Sequence, residues 1–225
     1  MEKSRRLICT MLTGFALSAS LLLPGIGEAA RARPLDDGPG VNGLRFPESI
    51  GGDFSLLDQN GQPFSLARLE GRYALLFFGY THCPDVCPTA LSEALKINRA
   101  LPPERRVSIV FITLDPERDR PEVLKRYLAH FDPYLTGLTG LTGSVAQVAD
   151  VAKLYRAAWQ RQDLPGSRLG YAVNHSAYSY LLDRRGKVVL AYPYGTPHSD
   201  VVQDLIALDK RERPSIARET LSKFK

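Results

Sequence analysis

The chain has 225 residues, 44% of them hydrophobic, which suits one domain of moderate size with extensions. Its formal net charge is +5 and its pI is about 9.1, a mild basicity that lies partly at the two ends of the chain. A weak positive charge of this kind does not favour nucleic-acid binding. Neither an internal repeat nor a low-complexity run is evident in the sequence.

The N-terminal segment has the layout of an export signal. Basic residues come first, and a mostly apolar run follows from Leu7 to Leu23. This pattern predicts that residues 1–32 are a secretory signal peptide or an N-terminal membrane anchor. In both cases the rest of the chain is expected in the periplasm, or at the extracytoplasmic face of the inner membrane. Residues 33–48, rich in Pro, Gly and Asp, are predicted to be a linker.

The domain that follows, residues 49–210, alternates strand-like and helix-like patterns. Asn60-Gly61 between two short apolar runs predicts an added N-terminal β-hairpin whose two central residues take positive φ. The unbroken apolar run of residues 73–78 predicts a strand buried on both faces. A helix is then predicted to open at Pro88, since proline is tolerated in the first turn.

The second half of the domain continues this alternation. The further predicted elements are a buried strand at 107–112, a helix at 121–131, a short strand at 138–141, a helix capped by Ser144, a polar loop at 160–170, a strand hairpin of 178–182 with 188–192, a final helix at 200–208 and a basic tail at 211–225. This order predicts an α/β, thioredoxin-like fold with a central mixed sheet flanked by helices.

Cys83 and Cys87 carry the clearest chemical signal. They are four positions apart, between the predicted buried strand and the predicted helix, so both sulfur atoms can reach one point. A helix N-terminus favours the thiolate, which is both a nucleophile and a soft metal ligand. With Cys9 in the leader, they are the two cysteines of the exported domain. Two functions therefore stay open: a redox-active Cys83–Cys87 disulfide, and a soft-metal site.

The cysteine spacing and the histidines bear on that choice. Thioredoxin-type oxidoreductases have two residues between their cysteines, whereas this chain has three. Structural zinc needs four ligands, for which no second cysteine pair exists, while copper can be held by two thiolates and an imidazole. His175 precedes a predicted strand and could face the cysteine loop. The remaining histidines are interpreted as loop, helix-end or surface residues: His82, His130 and His198.

Three motifs resemble the SCO/SenC copper chaperones of cytochrome c oxidase assembly. They are Gly79–Pro88, Thr113–Asp119 followed by Pro121, and Asn174–Ser176 leading into Tyr180–Asp183. The resemblance covers about residues 45 to 205, in the order of the family. It implies a thioredoxin fold that binds copper, as Cu(I) or Cu(II), through Cys83, Cys87 and His175.

The resemblance also implies a function. The chain is expected to be a metallochaperone rather than an enzyme, which delivers copper to the binuclear site of the oxidase subunit or keeps the thiols of that site reduced. The expected partners are the copper-bearing subunit of cytochrome c oxidase and other periplasmic copper chaperones. If the N-terminal segment stays uncleaved, it is also expected to attach the chain to the membrane. The alternative is a thiol–disulfide oxidoreductase acting on partner cysteines in the periplasm, which needs only Cys83 and Cys87.

Four residues near the motifs are of secondary interest. Asn174 stands where the family often has Asp, and Arg120 stands where Thr is frequent, but neither change removes a ligand. Asp85 and Asp115 each lie next to a proline. They could attract a cation or a partner protein, or they could simply stabilise turns.

Overall fold

A seven-stranded mixed sheet organises the chain. The computed structural model describes residues 42–45, 50–133 and 136–222, with the side chains of the last helix described through Arg211. The strands are β1 (Ser55–Asp58), β2 (Pro63–Ser65), β3 (Ala74–Gly79), β4 (Ser108–Thr113), β5 (Leu138–Thr142), β6 (Trp159–Asp163), β7 (Tyr171–His175), β8 (Tyr178–Leu182) and β9 (Val188–Pro193). The helices are α1 (Val86–Ala100), α2 (Pro121–Ala129), α3 (Val145–Leu154) and α4 (His198–Ser222).

The sheet has the strand order β2-β1-β5-β4-β3-β8-β9. Strand β4 pairs in parallel with both of its neighbours, β3 and β5. All the other strand pairs of this sheet are antiparallel. This arrangement confirms the prediction of an α/β, thioredoxin-like mixed sheet. The N-terminal hairpin is also confirmed, but it extends the same sheet, because β1 pairs with β5 through Leu57 and Asp58.

The centre of the sheet is the core of the domain. Every residue of β3 is buried, and so is every residue of β4 after Ser108. Helix α1 buries Leu91, Ala94 and Ile97, which recur every three residues and form one apolar stripe. Burial of a Leu or Ile side chain of this kind stabilises the fold by about 1.5–3 kcal/mol. The parallel strands β3 and β4 therefore hold the loops at their carboxyl ends in fixed positions.

The turn between β1 and β2 differs from the prediction. Gly61 has a φ of +73°, but Arg156 is the one non-glycine residue with positive φ among those described, so Asn60 does not share this conformation. The Asp58 carboxylate accepts hydrogen bonds from the backbone N–H groups of Asn60 (2.8 Å) and Gln62 (2.9 Å). Asp58 thus stabilises a connection that is longer than the predicted two-residue turn. In this longer connection Asn60 and Gly61 do not both need a positive φ.

The predicted polar loop at 160–170 is wrong in its first part. Strand β6 pairs with β7 in antiparallel register, with Trp159 opposite His175, and the two form a separate two-stranded ribbon. The polar residues of this segment were interpreted as a loop. Strand β6 is mostly exposed, so it lacks the alternation of apolar and polar residues by which a half-buried strand is recognised. The ribbon places His175, one of the predicted copper ligands, at the end of β7.

Two helix boundaries also need correction. Helix α1 begins at Val86 rather than Pro88, which puts Cys87 inside its first turn. Helix α4 begins at His198 and continues through Pro214 to Ser222, beyond the predicted end at Leu208. The prediction ended this helix too early because the residues after Arg211 are rich in charge and include Pro214, which lacks the backbone N–H of a helix interior.

The leader and most of the linker lie outside the described residues. The predictions of a signal peptide or anchor over residues 1–32 and of a linker over 33–48 are therefore not addressed by the described structure, apart from residues 42–45. Within the described part of the chain, no helix combines the length and the apolar character that crossing a membrane requires.

Candidate metal centre

The cysteine loop follows β3 at the edge where the parallel strands end. Gly79 is the last residue of β3 and lies opposite Thr113, the last residue of β4. A Cβ atom at Gly79 would lie 2.7 Å from the Cys87 Sγ and 2.7 Å from the Phe111 ring. Glycine is needed at this position because the Cys87 sulfur packs directly against the strand backbone.

The two cysteines differ in exposure. Cys87 is only 1% exposed, whereas Cys83 is half-buried and lies before the helix. The backbone N–H of Cys87 donates to the Cys83 Sγ at 3.4 Å, and the N–H of Cys83 donates to the Tyr80 carbonyl at 3.2 Å. Both cysteines are free thiols in the structure. The helix therefore carries the buried sulfur, and the preceding loop presents the accessible one.

His175 completes the cluster. Its Nε2 lies 3.7 Å from the Cys87 Sγ, and its Nδ1 lies 3.0 Å from the Ser176 carbonyl oxygen. A carbonyl oxygen only accepts hydrogen bonds, so Nδ1 carries the ring proton and Nε2 is left with a free lone pair. The ligand atoms of Cys83, Cys87 and His175 all lie within 4.8 Å of one another, a geometry that could hold a metal ion.

The electrostatics of the cluster favour a thiolate at Cys83. A hydrogen bond from the Cys87 thiol lowers the pKa of Cys83 to about 3 and outweighs the opposing effect of burial. The same interaction, together with burial, raises the pKa of Cys87. Burial disfavours the charged form of His175, but its interactions with Cys83 and the Ser176 carbonyl raise its pKa overall. A metal ion bound here would displace the Cys87 proton, because the ligating sulfur is the thiolate.

A buried carboxylate fixes the start of the cysteine loop. Asp119 is fully buried and accepts hydrogen bonds from the Thr81 N–H (2.9 Å), the Thr81 hydroxyl (2.6 Å) and the Thr113 hydroxyl (2.7 Å). Burial raises the pKa of Asp119, and these three donors oppose that shift. Thr81 is two residues before Cys83, so Asp119 links the loop to the end of β4. Sequence reasoning included Asp119 in a motif but gave it no role.

Aromatic side chains support the histidine. The buried Tyr80 ring meets His175 edge-to-face, with 6.2 Å between the ring centroids. The Arg118 guanidinium lies 5.9 Å from the centroid of Tyr80 and 3.6 Å from that of Tyr171, a residue of the His175 strand. These contacts hold β7 against the loop after β4. Single aromatic residues have no diagnostic spacing, so the sequence did not reveal this support.

Asp115 belongs to the same support. Its carboxylate is buried, forms an ion pair with Arg118 and accepts a hydrogen bond of 2.6 Å from the Tyr171 hydroxyl. Of the two interpretations given for this residue, a surface for a cation or partner and simple turn formation, the first does not fit a buried, paired carboxylate. Asp85, by contrast, is exposed and is the residue preceding α1.

The other histidines lie apart from the cysteine cluster. His82 is 40% exposed, and its Nδ1 is 3.0 Å from the Thr81 hydroxyl. It forms a second group with Asp115 and Asp119, but protein donors already occupy both carboxylates. His198 pairs with Glu93 at 2.9 Å, and His130 is the residue after α2. The structure therefore brings together Cys83, Cys87 and His175 and leaves the remaining histidines outside.

The comparison with protein families decides the classification. The family model described as SCO1/SenC matches residues 42–209, most of the chain. The chain belongs to the SCO1/SenC family. The resemblance stated from the three sequence motifs is thereby confirmed.

Relatives of this SCO1/SenC protein include sequences and solved structures. The SCO2-like protein of Rickettsia felis (strain ATCC VR-1525 / URRWXCal2) is 39% identical over 158 residues, which cover 69% of this chain and 75% of the relative. The structure of Bradyrhizobium japonicum ScoI with copper bound is 41% identical, with a TM-score of 0.62 over 70% of this chain and 98% of that one. BsSco is 26% identical, with a TM-score of 0.57 over 74% of this chain and 95% of that one.

Proposed function

We propose that this SCO1/SenC protein is a copper-binding metallochaperone. It holds copper through the two sulfur atoms of Cys83 and Cys87 and the Nε2 of His175. It delivers the metal to the binuclear copper site of cytochrome c oxidase. The observation that carries this proposal is the convergence of these three ligand atoms within 4.8 Å of one another.

The donor set favours copper over other metals. Thiolate and imidazole are soft or borderline ligands, which suit copper better than magnesium or calcium. Structural zinc takes four protein ligands, whereas this group in the described residues contains three. The cluster thus offers two sulfur atoms and one nitrogen, and His175 allows the oxidised as well as the reduced ion to be held.

The unequal exposure of the ligands supports a delivery role. Cys87 and its helix stay fixed, while the half-buried Cys83 presents its sulfur to the surface. A partner thiolate can approach the copper from the Cys83 side and replace the protein ligands one at a time. Copper is the cargo in this exchange. The Cys83 thiolate left behind is stabilised by the contacts that lower its pKa, and Cys87, whose pKa is raised, regains its proton.

Two relatives support the proposal from outside this chain. Bradyrhizobium japonicum ScoI was solved with copper bound. BsSco is described as a member of the Sco family of cytochrome c oxidase assembly proteins, with a disulfide switch. These descriptions apply to those proteins, and we extend them to this chain on the basis of the shared family. Expected partners are accordingly the copper-bearing oxidase subunit and other periplasmic copper chaperones.

A specific observation also favours the second candidate function. The Cys83 thiol has a pKa lowered to about 3 and lies beside the free thiol of Cys87, so it fits a thiol–disulfide oxidoreductase that keeps the cysteines of the partner reduced. In that function Cys83 attacks the partner disulfide, and Cys87 resolves the mixed disulfide. A redox-active Cys83–Cys87 disulfide is the product, and the partner gains two thiols.

The proposed place of action is extracytoplasmic. A basic segment followed by an apolar run begins the chain, the pattern that predicts a signal peptide or an anchor. A related structure is that of a SCO1/SenC family lipoprotein from Bacillus anthracis str. Ames, at 27% identity and a TM-score of 0.62 over 72% of this chain and 96% of that one. We propose the periplasm, or the outer face of the inner membrane, as the location.

A transfer experiment tests the proposed function. The Cu(I)-loaded full chain is mixed with the copper-free, reduced copper-bearing domain of the oxidase subunit, and the copper on each protein is measured after separation. We expect copper to move to the oxidase domain. His175→Ala is expected to deliver less than about a tenth as much, since even residues that only support a metal ligand are worth 10–100-fold. The exposed His130→Ala is the matched control and should behave like the unaltered chain.

A second arm separates delivery from reduction. The same variants are incubated, without copper, with the oxidase domain in its disulfide form, and the thiols produced are counted. If the unaltered chain transfers no copper but both it and His175→Ala reduce the disulfide equally well, delivery is wrong and the oxidoreductase function is favoured.

A further inference from the structure

A polar cleft lies at the end of the sheet opposite the metal ligands. Arg72 comes just before β3 and Arg106 just before β4, whereas Cys83 follows the far end of β3. Since β3 and β4 are parallel, both arginines lie at the amino edge of the sheet. Arg99, in the last turn of α1, lines the same cleft, whose volume is about 480 Å³. A ligand in this cleft would not compete with copper for space.

The lining of the cleft is positively charged. Arg72, Arg99 and Arg106 are all exposed and contribute three guanidinium groups. Asp132 supplies the one carboxylate among the described lining residues. It already accepts hydrogen bonds from the backbone N–H (2.8 Å) and hydroxyl (3.3 Å) of Thr136. Most of the arginine charge is therefore not neutralised within the cleft.

The three cleft arginines contrast with their neighbours. Arg105 and Arg184 lie nearby and both form ion pairs with Asp209, at 3.5 Å and 2.8 Å. Among the described residues, Arg72, Arg99 and Arg106 form no hydrogen bond or ion pair through their side chains. The half-buried residue Ser108 also lines the cleft and can supply a hydroxyl donor.

We propose that this cleft, lined by Arg72, Arg99 and Arg106, binds the phosphate group of an anionic ligand. A planar guanidinium presents two parallel N–H donors that match two oxygens of a phosphate, and such charge-assisted pairs are stronger than neutral hydrogen bonds. The volume is sufficient for a phosphate ester with its attached group, since small-molecule sites typically span about 300–1,000 Å³. The ligand is either the phosphodiester of a phospholipid headgroup or a soluble phosphate compound.

A titration of the full chain tests this site. The probe is inorganic phosphate, added at constant ionic strength, and the readout is the NMR signals of the arginine Nε–H groups. We expect the signals of Arg72, Arg99 and Arg106 to shift together and to saturate. Replacing all three by glutamine is expected to weaken phosphate binding by at least about tenfold, because three charge-assisted contacts are lost. The matched control replaces three other exposed arginines by glutamine: Arg45, Arg168 and Arg185.

The control determines the interpretation. Both triple variants remove the same charge, so equal weakening would mean general attraction to a basic protein and would overturn the proposal. Shifts that never saturate, or that avoid the three cleft arginines, would overturn it as well. A loss confined to the cleft variant supports it.

Vesicles distinguish the two sources of phosphate. The full chain is mixed with vesicles of phosphatidylglycerol or of phosphatidylcholine, and sedimentation measures the bound fraction. Binding through the N-terminal apolar run is common to the cleft variant and the control, so the difference between the variants reports the cleft. A preference for phosphatidylglycerol that only the cleft variant loses identifies the lipid headgroup. Saturable phosphate binding without that preference identifies a soluble phosphate compound.

Discussion

Cys87→Ser is expected to weaken copper binding by more than about 100-fold while leaving the domain folded. Cys87 is 1% exposed, and its Sγ is the atom that lies 3.7 Å from the His175 Nε2. Serine has nearly the same size, but its hydroxyl does not ionise near neutral pH and is a hard ligand, which suits copper poorly. Since weakening an outer-shell contact already costs 10–100-fold in metal affinity, loss of a ligand should cost more than about 100-fold. Competition with a Cu(I) chelator measures the affinity.

The chain offers a matched control for that substitution. Cys9→Ser removes the same atom from the N-terminal apolar run and is expected to leave the copper affinity of the domain unchanged. Circular dichroism of both variants checks the fold. Tight, stoichiometric copper binding by a folded Cys87→Ser variant would show that this sulfur is not a ligand.

Asp119→Ala is expected to weaken both the fold and the copper site. The substitution leaves the Thr81 N–H and the Thr81 and Thr113 hydroxyls without their acceptor; the Thr113 hydroxyl is fully buried and the two Thr81 donors are partly buried. Unsatisfied buried donors cost about 1–3 kcal/mol each, so a loss of about 3 kcal/mol in the free energy of unfolding is expected. Release of Thr81 lets the Cys83 loop move, and copper affinity should fall by about 10–100-fold. Denaturant unfolding and chelator competition give the two numbers.

A second buried aspartate separates the two effects. Asp204 is also fully buried, and it accepts hydrogen bonds from the backbone N–H groups of Asn42 (2.8 Å) and Gly43 (2.9 Å) and from the Tyr192 hydroxyl (3.0 Å). Asp204→Ala should lower stability by a similar amount without changing copper affinity, because its partners are outside the cysteine loop. Equal copper affinity in the two variants would show that Asp119 stabilises the fold without positioning the ligands.

The centre of the fold could be predicted because its signals are local. An unbroken apolar run marks β3, since a strand buried on both faces needs no polar alternation. The cysteine pair after it was recognised from its spacing, and Ser144 was recognised as a helix cap, which the structure confirms with a hydrogen bond from the Gln147 N–H at 3.2 Å. These features depend on residues close together in the sequence.

The support of the site could not be predicted, because it depends on contacts between distant residues. The hydrogen bonds between Thr81 and Asp119 join positions 38 residues apart, and the ribbon that places His175 has a largely exposed first strand with no apolar alternation. Spacing alone left His175 as one open possibility, and the resemblance to the family singled it out as a ligand. Only the folded chain brings its Nε2 to the cysteine loop.

X-ray absorption at the copper edge of the loaded full chain tests the proposed ligand set most directly. We expect one copper per chain, coordinated by two sulfur atoms and one imidazole nitrogen. In His175→Ala the imidazole scattering should disappear while the sulfur scattering remains, and His130→Ala should match the unaltered chain. A spectrum without two sulfur ligands, or imidazole scattering that persists in His175→Ala, would show that copper is not held by Cys83, Cys87 and His175.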